Sequence, residues 1–163
     1  MIVVSDATPL ISLMKASKLW ILEPLFQEVL IPEAVYRELT TNHKFQEEAS
    51  QIINSRFIKV VSVNQGIVDD LRNASGLDQG ESEAIAYANE NGCDVLLMDE
   101  ARGRQVAKTL NLYVMGTIGV LLFAYEDSLL TRLDVKQALD CLKKANRHIG
   151  DDLINYALSK ISK

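Results

Sequence analysis

Asp94-Val95-Leu96-Leu97-Met98-Asp99-Glu100 is the stretch on which the fold turns. Val95 to Met98 is a short apolar run, bounded by charged residues, and it reads as a strand. Asp99 follows at once, which sets a carboxylate at the strand's carboxyl end. Upstream, Glu81 to Asn91 has helical periodicity and is stopped by Gly92. It is fed by the turn-rich loop Ser75-Gly76-Leu77-Asp78-Gln79-Gly80. Downstream come a helix from about Ala101 to Leu110, a short strand from Leu112 to Met115, and a helix near Ile118 to Tyr125 introduced by Gly116-Thr117. Helices of about Val135 to Ala145 and Asp151 to Ile161 close the chain.

The amino-terminal half repeats the alternation. Ile2 to Val4 reads as a strand buried on both faces, with Asp6 just past its end. Thr8-Pro9 looks like an N-cap followed by proline at the first helical position, with Leu10, Ile11, Leu13 and Met14 facing inward. Helices are expected at Leu19 to Phe26, Glu33 to about Thr40 and Phe45 to Asn54, and extended segments at Val29 to Ile31 and Ile58 to Val63. Strands alternating with helices indicate an α/β fold: a central parallel β-sheet flanked by helices on both faces. In such sheets ligands bind beyond the carboxyl ends of the strands, where Asp6 and Asp99 sit and are expected to meet.

Length and composition bound the rest. The chain has 163 residues, 48% of them apolar and 24% charged, enough for one domain with a sizeable core. A single domain over 1–163 is expected, with the helices of about 134–163 as an appended helical end. No apolar run approaches a membrane span, and the start lacks the features of a signal peptide, so a cytoplasmic location is expected. Cys93 and Cys141 share no metal-ligand spacing with each other, with His43 or with His148, and no disulfide is expected. The net charge of −5 is permissive for nucleic acid rather than supportive. Asp6, Glu38, Glu81 and Asp99 account for four of those charges.

Glu38 and Glu81 each interrupt an apolar stripe. Ala84, Ile85 and Ala88 lie three, four and seven residues beyond Glu81, the pattern of a core-facing helix surface. Glu83 falls roughly 200° round the helix from Glu81 and is expected to face outward. Glu38 follows Ala34 and Val35 on one face of its own helix. Inward carboxylates need a basic partner, a raised pKa or a bound cation. Four converging carboxylates repel unless a divalent ion neutralises them, and oxygen-only donors suit Mg²⁺ or Mn²⁺. Such a site activates water and stabilises in-line phosphodiester displacement. Bland roles stand beside this one: Asp6 bonding turn amides, Asp99 as a helix N-cap, Glu81 favoured by a helix dipole, and Glu38 paired with an arginine.

These residues, in this order, resemble the PIN domain family, including the VapC-like toxin ribonucleases. Val3-Val4-Ser5-Asp6-Ala7-Thr8-Pro9-Leu10-Ile11 is similar to the family's opening strand, and Leu30-Ile31-Pro32-Glu33-Ala34-Val35-Tyr36-Arg37-Glu38-Leu39 to the helix bearing its glutamate. Gly80-Glu81-Ser82-Glu83-Ala84-Ile85-Ala86 and Asp94 to Glu100 resemble its third and fourth motifs. The stretch Gly116 to Leu122 is similar to one PIN-like branch. The resemblance implies Mg²⁺ or Mn²⁺ held by Asp6, Glu38, Glu81 and Asp99, with Glu100 as the substitute for Asp99. It also implies endoribonuclease activity on RNA and, for toxin-type members, a small antitoxin protein as partner; a homodimer is compatible with it. Glu81 departs from the small toxins, where the third acid is commonly aspartate. Thr8, Lys15, Arg37, Arg102 and Arg104 are the candidates for substrate contact.

Other chemistries fit less well. A phospho-acceptor receiver domain would want a lysine after its last strand, and Met115-Gly116-Thr117 offers none. There is no Walker sequence, no Gly-x-Gly-x-x-Gly after a strand and no nucleophile elbow. The remaining alternative is a PIN-like module without catalysis that works through protein contacts.

Overall fold

Val3–Ser5 (β1), Val29–Pro32 (β2), Ile58–Val61 (β3), Val95–Leu97 (β4) and Val114–Met115 (β5) form one parallel sheet in the order β3-β2-β1-β4-β5. Every pairing in it is parallel, as the alternation of strands and helices requires. This computed structural model describes residues 1–147 and 149–162; His148 lies outside the described residues. The helices are α1 (Ala7–Lys15), α2 (Leu22–Phe26), α3 (Glu33–Thr41), α4 (Gln46–Asn54), α5 (Gln65–Ser75), α6 (Gln79–Asn91), α7 (Ala101–Thr109), α8 (Thr117–Glu126), α9 (Arg132–Lys144) and α10 (Asp151–Lys160).

The pleat divides the strand side chains between two cores. Val3, Val95 and Leu97 pack with residues of α1, α8 and α9. Val4, Leu96 and Met98 pack on the other side with Leu77 and with Ala84, Ile85, Ala88 and Ala107 of α6 and α7. The carboxy-terminal helices join the first core through Val135, Ala138, Leu139, Leu142, Ala157 and Ile161. Among the described residues no helix is long and apolar enough to cross a membrane.

Several elements differ from the sequence reading, each for a local reason. α1 begins at Ala7 with Asp6 as its N-cap residue, so Thr8 is the second helical residue and not the cap. Pro9 is then the third, where a missing N–H is still tolerated because the first-turn amides have no partner within the helix. α5 has no counterpart in the sequence reading. Asn64 caps it by accepting the amides of Gly66 and Ile67, and Gly76, at φ 73°, ends it in the left-handed conformation. β5 is shorter than expected because the Leu112 amide is bonded to the Ala107 carbonyl and belongs to the end of α7. α9 starts earlier than expected, at a capping box between Thr131 and Asp134.

Gly103 lets α7 close over the end of β4. A Cβ at this position would lie 2.5 Å from Sδ of the fully buried Met98. Glycine in a helix interior normally costs stability relative to alanine, so the sign of Gly103→Ala is informative. The substitution is expected to destabilise by about 1–3 kcal/mol, as overpacking does. Urea unfolding measures it, and a stabilised variant would show that Met98 moves aside freely.

Candidate functional site

In this sheet the chain runs from β1 outward to β2 and β3, and from β4 outward to β5. The crevice between β1 and β4 is therefore the topological switch point. β1 and β4 pair Ser5 with Leu97, and the Asp6 amide donates to the Leu97 carbonyl at 3.0 Å. Asp6 thus follows the strand next to β4, and its residue is 4% exposed. A Cβ added to Gly80 would stand 3.7 Å from Asp6 Oδ1 and 3.8 Å from Asp78 Oδ1. The amino end of α6 therefore comes close to Asp6 at a residue with no side chain.

Asp6 sits among acids. Its carboxyl is pushed up to about 8, first by burial, against a hydrogen bond from the Ala7 amide, and then by the charges of Glu81, Asp78 and Glu38. The half-buried Glu81 is pushed up to about 7, first by desolvation and then by Asp78, with Glu100 and Glu38 adding to it. Glu38 is an exposed residue whose carboxyl is also raised, by partial desolvation and by Asp78. Solvent screens it most, and it is the weakest of the acids acting on Asp6. Three of the four expected acids therefore feel one another across β1, α3 and α6.

Asp78 belongs with them, and the sequence reading did not single it out. It caps α6 by accepting the Glu81 amide at 2.8 Å. It also raises all three of the other acids. Its signal in the sequence is the spacing of Asp78 and Glu81, an N-cap residue with an acid three positions on.

Asp99 is placed differently from the expectation that it meets Asp6. Its Oδ1 accepts the Thr117 amide at 2.7 Å and its Oδ2 the Thr117 hydroxyl at 2.6 Å. The register accounts for this. With Ser5 opposite Leu97, Asp6 stands beside Met98 and shares its side of the sheet, facing α6. Asp99 comes one residue later, and alternation turns it to the α8 side. Asp99 thus acts from another element as an acceptor at the start of α8. Glu100, the substitute, is the residue after β4 whose charge reaches Glu81.

Glu83 corrects the helical-phase reading. It does not face outward: it is 1% exposed, and its carboxylate accepts the amide of Ala34 and the side chains of Gln79 and Gln65. α6 is covered by α3 and α5 as well as by the sheet, so Ser82 to Ala86 are buried without a break.

The expected substrate contacts divide similarly. Thr8 is half-buried in the first turn of α1, and Arg37 is exposed beside Glu38. Arg102 donates to the Ser75 carbonyl and secures the end of α5, while Arg104 donates to the Met98 carbonyl at 3.0 Å. Both arginines are tied to the frame. Lys15 pairs with the buried Glu48. A cavity of about 790 Å³ beside β5, α8 and α10 reaches Asp99 and Arg104, but Asp6, Glu38 and Glu81 do not line it.

Among the described residues, no three His, Cys, Asp or Glu side chains stand close enough, as placed, to hold an ion between them. The donor chemistry nevertheless fits Mg²⁺ or Mn²⁺. The set is oxygen-only, and a cation would offset the burial and like-charge repulsion that together raise Asp6 and Glu81. Mg²⁺ usually keeps several waters and takes only one or two carboxylates directly.

A family model described as a PIN domain matches residues 2–163. No curated protein matches the chain.

Asp6 holds its proton more tightly folded than unfolded. Its contribution to stability is complete below pH 3.8 and is lost as pH rises towards about 8. Asp6→Asn keeps a good N-cap residue without the charge. The metal-free variant is expected to melt above the wild type at neutral pH and to show a flatter dependence of Tm on pH. Thermal unfolding across that pH window measures both, and a less stable Asp6→Asn would mean that the ionised carboxylate itself holds the fold.

Proposed function

The chain belongs to the PIN domain family, and from that premise we propose that it is an endoribonuclease dependent on Mg²⁺ or Mn²⁺. PIN domains are generally nucleases. The observation that carries the reading is the buried Asp6, raised to about 8 among Glu81, Asp78 and Glu38 at the carboxyl end of a parallel sheet. A fold bears such a penalty without obvious structural return where the charges are used. When bound, the divalent ion would supply charge stabilisation on the phosphodiester and make water more acidic.

The chain's own residues divide the work. Asp6, fixed between β1 and α1, would hold the ion from the sheet. Glu81 and Glu38 would hold it from α6 and α3, and Asp78 would hold the first turn of α6 in place. Glu100, whose charge reaches Glu81, would be the fourth ligand candidate beside Asp6, Glu81 and Glu38. Asp99 would serve by holding the start of α8 through Thr117. Thr8 and Arg37, close in sequence to Asp6 and Glu38, would be the substrate contacts, since Arg102 and Arg104 are tied to backbone carbonyls.

A role as the toxin of a toxin–antitoxin pair, with a small antitoxin as partner, rests on the resemblance to VapC-like members alone. One observation favours the second reading, a PIN-like binding module without catalysis: the acids do not form a ready cage.

Purified protein with defined single-stranded and structured RNAs, with and without Mn²⁺, separates the two. Cleavage is expected only with the ion, and Asp6→Asn and Glu81→Gln should lower it on the order of 10²-fold or more. Glu100→Gln should weaken Mn²⁺ binding at unchanged stability, whereas Asp99→Asn should lower stability as well as activity. Cleavage that persists in excess EDTA, or that is unchanged in Asp6→Asn, would overturn the mechanism. A wild type that binds no Mn²⁺ and cuts no RNA would favour the binding module.

A further inference from the structure

Glu83 is the most deeply buried acid of the chain's central helix pair, and the mechanism above makes no use of it. Its Oε1 accepts the Ala34 amide at 3.1 Å. Its Oε2 accepts Gln79 Nε2 at 2.5 Å and Gln65 Nε2 at 3.4 Å. Gln79 Nε2 also reaches Gln65 Oε1 at 3.0 Å, and Gln79 Oε1 accepts from Arg72 at 2.8 Å. Three donors converge on one carboxylate, which suits the ionised form, an acceptor at both oxygens.

The Ala34 bond crosses between helices. α3 has Pro32 at its N-cap position, which offers no side-chain acceptor to the first-turn amides. Glu83 on α6 supplies that acceptor instead, and its negative charge lies at the favourable end of the α3 dipole. The positions joined are telling. Glu38 stands one turn beyond Ala34 on α3, and Glu81 stands in the same turn of α6 as Glu83. The two helices bearing acids that repel each other are thus held together close to where the repulsion acts.

We propose that Glu83 is a positioning residue: by capping α3 from α6 it fixes Glu38 against Glu81 and so sets the affinity of the site for a divalent ion. This rests on the metal-dependent reading above. Loss of an outer-shell partner of this kind typically weakens metal binding by about 10–100-fold. Glu83→Gln keeps the shape and one acceptor for Ala34, but it brings an amide NH₂ up to the NH₂ groups of Gln79 and Gln65.

The experiment is a Mn²⁺ titration of the metal-free protein, read by the electron spin resonance of the free ion well below the unfolding temperature, with urea unfolding alongside. Glu83→Gln is expected to bind Mn²⁺ roughly 10-fold or more weakly. Gln79→Ala, which removes one donor from outside the core, should show a smaller loss in the same direction. Pairing Glu83→Gln with Gln79→Glu restores one carboxylate facing one amide and should recover part of the affinity. Should Glu83→Gln fail to fold, Gln79→Ala decides. Unchanged Mn²⁺ affinity in folded variants that are merely less stable would overturn the positioning role while leaving the metal-dependent reading intact. No Mn²⁺ binding by the wild type would overturn both.

Discussion

β1 and β4 lie side by side and in parallel, and their register decides where each acid after them can point. Ser5 faces Leu97, so the residues that follow, Asp6 and Asp99, are out of step by one. In a pleated sheet one step is a change of side. Asp6 enters the space under α6, and Asp99 turns to the start of α8 and is taken by Thr117. A slip of one residue in this pairing would bring Asp6 and Asp99 to the same side of the sheet and turn the core side chains of the slipped strand to the wrong face. Because the strands are short, three residues each, the two-sided burial of Val3, Val4, Leu96 and Leu97 has to specify the register.

On that frame the acids are an electrostatic load that the surrounding packing must carry. The load is heaviest at Asp6, where burial itself disfavours the charge and like-charge repulsion adds to it. Two features limit the damage. Gly80 keeps the amino end of α6 free of bulk between Asp6 and Asp78. The Glu81 amide, held by Asp78, directs the positive end of the helix towards the acids. Neither abolishes the penalty, as the raised carboxyls of Asp6 and Glu81 record.

Much of the fold was legible in the sequence because its signals are local and two-valued. Apolar runs such as Val95 to Met98 are buried on both faces, and Gly92, at φ 71°, ends α6 where a left-handed residue is needed. α5 was not legible because little of it faces the core: Val68 and Ser75 are its buried residues. Asp6, Glu38 and Glu81 were legible as a group, since strand ends and helical phases point to one region. The side taken by Asp99 depends on the register between distant strands, which no local pattern contains. The N-cap was assigned to Thr8 because Pro9 was read as the first helical residue, although proline is tolerated anywhere in the first turn.

The error at Glu83 has a broader cause, and it bears on how the site is built. Helical phase separates inside from outside only when one face of a helix is covered. α6 packs against the sheet, α3 and α5, so residues nearly opposite each other on the helix are both shielded from water. Glu81 and Glu83 lie on different faces of one turn and meet different surroundings. Glu81 has acids for neighbours, and its carboxyl gets hydrogen-bonding relief from the Asp78 backbone amide. Glu83 has three N–H donors and the end of a helix. The same side chain is thereby strained in one place and satisfied two residues later. A carboxylate with its full set of donors has little left to offer a ligand, whereas one held among like charges gains most from a cation. On the proposed reading the chemistry would therefore fall to Glu81, and Glu83 to the framework that keeps α3 and α6 in place around it.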